Sequence, residues 1–204
     1  MFFRTLRIGV ALAAGLLFAT SASAGTNAKA ADYCVKKGGV VQTRIPEYGT
    51  NGGNALVLAG KAQFCQFTSA DDGSQINLLL STLMTRQPSL AALAYYAKVQ
   101  MGSCNGNPAS CYCTLLGGSD LFGGINAAGG GWVLDSDPND VLETCIFPDL
   151  SSIDSWGLAY HSVDVIRGTD LSKVLRYKDP YAARAGHRRQ HQPFRERIAA
   201  RHPL

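Results

Sequence analysis

Two short patterns recur along this chain at nearly one spacing, and they constrain its fold more tightly than any other feature. Tyr33-Cys34 is followed by Gly38-Gly39, and Tyr112-Cys113 by Gly117-Gly118, an offset of 79. Phe64-Cys65-Gln66-Phe67 then matches Thr144-Cys145-Ile146-Phe147 at an offset of 80. Ile76 aligns with Ile153, and Leu93-Ala94-Tyr95 with Leu158-Ala159-Tyr160, which leaves about a dozen extra residues in the first copy. Matches that keep one order and nearly one register read as a duplicated unit.

The chemistry of that unit depends on the compartment. Arg4 and Arg7 precede an apolar run from Ile8 to Thr20, closed by Ser21-Ala22-Ser23-Ala24. These are the three parts of a secretory signal peptide, too short for the ~20 residues of a spanning helix. Residues 1–24 are therefore expected to be removed, leaving a mature chain from near Gly25 in the bacterial periplasm or outside the cell. All six cysteines survive that cut, and an even count in an oxidising compartment points to disulfides. The 15 possible pairings are narrowed by the repeat. Equivalent cysteines should do equivalent work, which pairs Cys34 with Cys65 and Cys113 with Cys145 and leaves Cys104 for Cys111. A zinc site built from Cys104, Cys111, Cys113 and Cys145 is the rival, but Cys111-x-Cys113 is not the usual knuckle and no second knuckle exists.

Within a unit the pattern predicts helix, strand, strand, helix. Ala30–Lys37 and Pro108–Leu116 read as helices stopped by Gly-Gly, where glycine tolerates φ > 0. Val40–Ile45 and Ala62–Thr68 read as strands, with Trp132–Leu134 and Leu142–Phe147 as weaker equivalents. Ser89–Met101 reads as a helix with Leu90, Leu93, Ala94 and Ala97 on one face, after a helical turn at Leu78–Met84. The expected fold class is α+β: two tandem, disulfide-stapled helix–β-hairpin–helix units. The first spans 25–102 with a helical insertion and the second 103–168. Residues 169–204 form a linker and a basic tail.

At Asn107-Pro108-Ala109-Ser110-Cys111-Tyr112-Cys113, Gly117-Gly118, Cys145-Ile146-Phe147-Pro148-Asp149 and Trp156, the second copy resembles a small exported bacterial domain family of unknown function that carries the label haemolysin. The resemblance covers about residues 107–161. The first copy is similar more loosely, at Ala31-x-Tyr33-Cys34, Gly38-Gly39, Cys65-Gln66-Phe67 and Asp72-Gly73-Ser74. Leu150 stands where the family pattern has glycine, and the first copy lacks the tryptophan. The resemblance implies a small, cystine-stapled α+β unit of the cell envelope. It brings no catalytic residues.

Other motifs support little chemistry. Asp135-Ser136-Asp137-Pro138-Asn139-Asp140 alternates oxygen side chains, but Asp140 replaces the glycine and Ile146 the chelating acid of an EF-hand, so a solvated turn is expected. His161 is the one histidine before the tail. A hydrolase would need it with Ser119 or Ser155 and Asp154 or Asp164, yet no nucleophile elbow is present. Trp132, Trp156, Tyr95, Tyr96, Tyr112 and Tyr160 read as core rather than a ligand platform. The glycine runs lack a nucleotide-loop context, and neither a cofactor nor a metal is expected.

Charge is segregated. Gly25 to Tyr177 carries 10 basic and 13 acidic residues, whereas Lys178 to Leu204 carries seven basic against two acidic. The tail reads as a solvated extension, as an arm folding back on the acidic body, or as an arm docking on an anionic surface through Arg184, Arg188, Arg189, Arg195, Arg197 and Arg201. Such a surface is lipopolysaccharide, phospholipid headgroups or nucleic acid. The leading expectation is a non-enzymatic binding module for an envelope or extracellular macromolecule, with no transmembrane anchor after cleavage. The alternatives are an envelope hydrolase using His161 and an inhibitor of an envelope or extracellular hydrolase.

Overall fold

The computed structural model describes residues 22–48, 56–57, 60–120 and 130–179. The expected cleavage segment up to Ser21 and the six tail arginines lie outside these residues. In chain order the elements are α1 (Ala22–Lys36), β1 (Val40–Tyr48), β2 (Leu56–Val57), β3 (Ala62–Thr68), β4 (Gln75–Leu79), α2 (Leu80–Met84), α3 (Leu90–Ala97), α4 (Pro108–Leu115), β5 (Gly130–Leu134), β6 (Asp137–Leu142), β7 (Thr144–Ile146), β8 (Ser152–Asp154), α5 (Ser155–Ser162) and α6 (Leu171–Val174).

One antiparallel sheet runs through the molecule in the order β6-β5-β1-β3-β4-β8-β7, with β2 added to β1. Two separate helix–hairpin–helix units, expected from the sequence, are not what forms. β4 pairs with β8 through Leu78 opposite Ile153, which fuses the halves edge to edge. The β5–β6 hairpin leaves its own half and pairs with β1, from Arg44 opposite Leu134 to Tyr48 opposite Gly130. The reason is edge satisfaction: each half alone would leave strand N–H and C=O groups unpaired, and joining them removes two such edges. The core is likewise continuous, holding Cys34, Cys65, Phe67, Leu78, Tyr112, Cys113, Cys145 and Ile153 together.

The three disulfides join Cys34 to Cys65, Cys104 to Cys111 and Cys113 to Cys145. The two longer bridges sit in matching surroundings. Gly38 and Gly117 adopt φ of +84° and +82°, closing α1 and α4 in the left-handed region that suits glycine. At the next residue a Cβ on Gly39 would collide with Cys65 Sγ and lie 2.9 Å from Cys34 Sγ. A Cβ on Gly118 would collide with Cys145 Sγ and lie 3.0 Å from Cys113 Sγ. The first glycine turns the chain and the second makes room for the cystine.

Local chemistry shifts several expected elements. Ser89 caps α3 by accepting from the Ala92 amide, and the Leu90 and Ala91 amides donate to Asp149 and Ser151 side chains. That anchoring turns Ala91, Ala92, Ala94 and Tyr95 inward and leaves Leu90 and Leu93 partly exposed, contrary to the expected face. Residues 137–140, expected in a solvated turn, belong to strand β6. Residues 171–177, grouped with the tail in the sequence reading, are packed instead: Leu171 and Leu175 are fully buried. The Tyr33 hydroxyl donates to the Val174 carbonyl and the Tyr96 hydroxyl to that of Tyr177, strapping this segment to α1 and α3. Among the described residues no helix is long and apolar enough to cross a membrane.

Candidate functional site

Where the end of β6, the start of α5 and the middle of β4 meet, they line a polar cavity of about 200 Å³ that is half open to solvent. Its wall includes Arg44, Asn77, Asp140, Glu143, Asp154, Trp156 and Arg167. Strand alternation explains how polar groups reach it. Asn77 sits between Ile76 and Leu78 on β4, and the β4–β8 register sets it opposite Asp154.

Arg44 is 1% exposed and its N–H groups are committed. Nε donates to Gln42 Oε1 at 3.0 Å, and the terminal nitrogens reach Gln42 Oε1, the Trp132 carbonyl and Asp140 Oδ1. The guanidinium is thus a strut that ties β1 to β6, with Asp140 as its counter-charge at 3.0 Å. A buried cation is tolerable because it is both paired and fully hydrogen-bonded.

Glu143 is the opposite case. Its carboxylate accepts from Asn107 Nδ2 at 3.2 Å and from the Trp156 indole at 3.1 Å. Asn107 also caps α4 by accepting from the Ala109 amide at 2.9 Å, so one carboxylate joins the cap of α4 to the first turn of α5. Burial pushes the Glu143 carboxyl above its ordinary range. The bonds from Asn107 and Trp156 pull it down, while the negative charges of Asp120 and Asp154 push it further up. Among the described residues it makes no ion pair within 4.0 Å.

Asp154 caps α5 by accepting from the Gly157 amide at 2.8 Å. Burial raises its pKa, against the pull of that amide, of the Arg167 charge and of the Asn77 side chain. Asn77 is 3% exposed, and its Oδ1 is buried with no hydrogen-bond partner. Arg167 lies over the Tyr160 ring, 5.3 Å from its centroid. Among the described residues its guanidinium meets a ring and the Asp154 charge. Among the described residues, the cavity therefore offers a carboxylate outside any ion pair and a loosely engaged guanidinium, walled by an indole, while Asn77 Oδ1 is buried behind its wall.

The residues singled out from sequence fall elsewhere. His161 is 7% exposed and stacks flat on Tyr95, with ring centroids 3.7 Å apart and planes 6° from parallel. Burial, helped by the Lys98 charge, lowers its pKa to about 4. Its Nδ1 and the Ser155 Oγ are both buried without partners, so they are not bonded to each other. Asp154 serves as a helix cap, and Asp164 pairs with Lys98. Of the aromatics, only Trp156 lines the cavity, while Tyr95 and Tyr112 are buried in the core. Among the described residues no group of three histidine, cysteine or acidic side chains is placed to hold a metal ion. Sequence reading missed Arg44, Asn77, Glu143 and Arg167. The available signal was a polar residue at an inward strand position, as in Ile76-Asn77-Leu78 and Thr43-Arg44-Ile45.

No family model matches the chain, and no curated protein or solved structure is significantly similar to it.

Proposed function

We propose that this is an exported bacterial protein of the periplasm or cell exterior that works as a non-enzymatic binding module, with the polar cavity as its binding site. The observation that carries this reading is a polar cavity that brings the Glu143 carboxylate, the Trp156 indole and the Arg167 guanidinium together. Glu143 makes no ion pair among the described residues, and a ligand that hydrogen-bonds to it offsets part of the cost of its burial. The Cys113–Cys145 bridge, two residues from Glu143, braces that wall and lowers the ordering entropy of binding.

We also propose membership of the haemolysin-labelled domain family, as two copies of one unit. The matched surroundings of the two Gly-Gly cystines support the duplication. So does the left-handed residue after each loop aspartate, Gly73 at φ +68° and Leu150 at φ +63°. The pairings of Val40 with Gln66 and Ser119 with Ile146 stand at the same positions relative to Cys65 and Cys145. The tail arginines, from Arg184 to Arg201, are proposed to hold the module on an anionic envelope surface by salt-sensitive contacts.

Native mass spectrometry after incubation with an envelope extract tests the binding reading. A low-mass adduct is expected on the wild-type protein and absent from the Arg167→Ala variant. Lack of any adduct on the folded wild-type protein would count against it. So would esterase, peptidase or glycosidase turnover that disappears in His161→Ala.

A further inference from the structure

We infer that the Cys104–Cys111 cystine is a thiol–disulfide exchange site, opened by an external dithiol while the other two bridges stay closed. Access sets it apart. Cys34, Cys65, Cys113 and Cys145 are all 0% exposed, whereas Cys104 and Cys111 are both partly exposed. Exchange needs a thiolate to reach a sulfur, and a bridge with no accessible surface is reached only when the structure around it opens. The second glycines close the long bridges further, with Gly39 packed against Cys34 and Cys65 and Gly118 against Cys113 and Cys145. Around Cys104 no such cover exists. Gly102, Ser103, Asn105 and Gly106 are exposed, and Cys111 lines a shallow open pocket beside Asn105 and Thr114.

Architecture separates the bridges as well. Cys34–Cys65 ties α1 to β3 and Cys113–Cys145 ties α4 to β7, so opening either one disconnects elements that share the core. Cys104–Cys111 ties α4 only to the irregular stretch before it, across 7 residues. A ring that small restrains the unfolded chain least, so the fold loses least when it opens. The start of α4 has its own supports: Pro108 stands in the first turn, and the Asn107 side chain accepts from the Ala109 amide. α4 therefore survives reduction and holds Cys111 where the bridge can close again. Cys113 is two residues further along the helix, and side chains two apart do not face each other. The freed Cys111 sulfur is thereby kept from attacking the Cys113–Cys145 bridge.

The reaction transfers two electrons and two protons. One thiolate of the dithiol attacks Cys104 Sγ, which no helix or strand constrains. The Cys104–Cys111 bond breaks, and its electron pair passes to Cys111 Sγ. Cys111 is the better leaving group, because it closes the first turn of α4, where the helix N-terminus favours a thiolate. The second thiol of the reductant, once deprotonated, attacks its own partner sulfur in the mixed disulfide and releases Cys104. Both cysteine sulfurs take up protons, and the reductant leaves as a disulfide.

The test treats the oxidised, folded protein with dithiothreitol or with a reduced protein dithiol of the Cys-x-x-Cys type, followed by alkylation and peptide mapping. Cys104 and Cys111 should be alkylated at least about a hundredfold faster than the other four cysteines, which must wait for local opening. Opening by dithiothreitol alone assigns the site to small dithiols, and opening by the protein as well assigns it to a protein reductase. Reduced glutathione, a monothiol, should be caught as a mixed disulfide on Cys104, and capture mainly on Cys111 would overturn the direction of attack. ¹H–¹⁵N spectra should keep their native dispersion once Cys104 and Cys111 alone are alkylated. Loss of that dispersion would overturn the assignment, since the bridge would then be structural. So would alkylation of all six cysteines at one rate, or a Cys104–Cys111 bridge that resists both reductants until the protein unfolds.

Discussion

The two long cystines make an instructive pair, because their frames agree and their fillings do not. Each bridge spans a similar stretch, 31 and 32 residues, and each has a left-handed glycine followed by one whose missing Cβ leaves room for sulfur. Around Cys113–Cys145, however, Asn107, Glu143 and Trp156 form a hydrogen-bonded set, and Glu143 and Trp156 line the cavity. At the corresponding offsets the first half has Ala28, Gln63 and Leu79, which can make no such set. Backbone geometry is thus alike at both bridges, and the polar set stands at one of them. A frame of this kind can carry a site without depending on it.

The sharpest way to break that comparison is at the second glycines. Gly39→Ala and Gly118→Ala each place a methyl group against the cystine sulfurs, so both should prevent the bridge from closing. The cost is at least that of losing a loop of about 32 residues, about 3.7 kcal/mol on the loop-entropy estimate, before any clash is added. Denaturant melts and thiol titration should show equal losses for the two variants. A loss at one site only would mean the frames are not equivalent.

The third bridge sharpens it. Cys104–Cys111 has no counterpart in the first half and a separation of only 7 residues. Replacing both cysteines by serine should cost about 2.5 kcal/mol on the same estimate. Because Asn107 lies within that loop and holds Glu143, the change should also disturb the Trp156 indole resonance. Undisturbed Trp156 would separate the bridge from the site.

A smaller effect sits at the left-handed position after each loop aspartate. Gly73 is at ease at φ +68°, whereas Leu150 holds φ +63° with its side chain 75% exposed. The left-handed region costs a residue with a Cβ about 1–2 kcal/mol, part of which glycine gives back in chain entropy. Leu150→Gly should therefore raise stability by about 0.5–1 kcal/mol in denaturant melts, and Gly73→Leu should lower it by about as much. If Leu150→Gly is neutral or worse, the leucine makes a contact that outweighs its backbone strain.

These positions also explain how far the sequence could be read. Cystine pairing and both Gly-Gly turns were legible, because a thiol has few partners and a left-handed stop has few residues that fit it. β4 and β8 were not, for strands of five and three residues carry too short an alternation to stand out. Missing them hid the single sheet, since their pairing is what joins the halves. The cavity was illegible for a related reason: Asn77, Glu143 and Arg167 are distant in sequence and acquire meaning only once β4 lies beside β8 and α5 follows. His161 drew attention as a lone histidine, yet its surroundings are what decide its role.

The last contrast is between His161 and the cavity acids, which should respond to pH in opposite senses. His161 titrates at about 4 in the folded protein because burial, and then the Lys98 charge, oppose the imidazolium, while Asp170 and Asp164 favour it only weakly. The unfolded chain takes up that proton near 6.5, so between about 6.5 and 4 it binds more protons than the native state. Stability tied to His161 is therefore complete above about 6.5 and is lost as pH falls towards 4. Glu143 and Asp154 have raised pKa values and run the other way, gaining stability as they protonate. Wild-type melts alone would mix these trends, whereas the difference between wild type and His161→Phe isolates the histidine. That difference should shift in favour of the variant by roughly 0.5 kcal/mol between pH 7 and pH 6, allowing for partial solvent access, and by more at pH 5. A pH-independent difference would mean that the imidazole is solvated in the native state, and the stack on Tyr95 would then be open enough to return His161 to consideration as a reactive group.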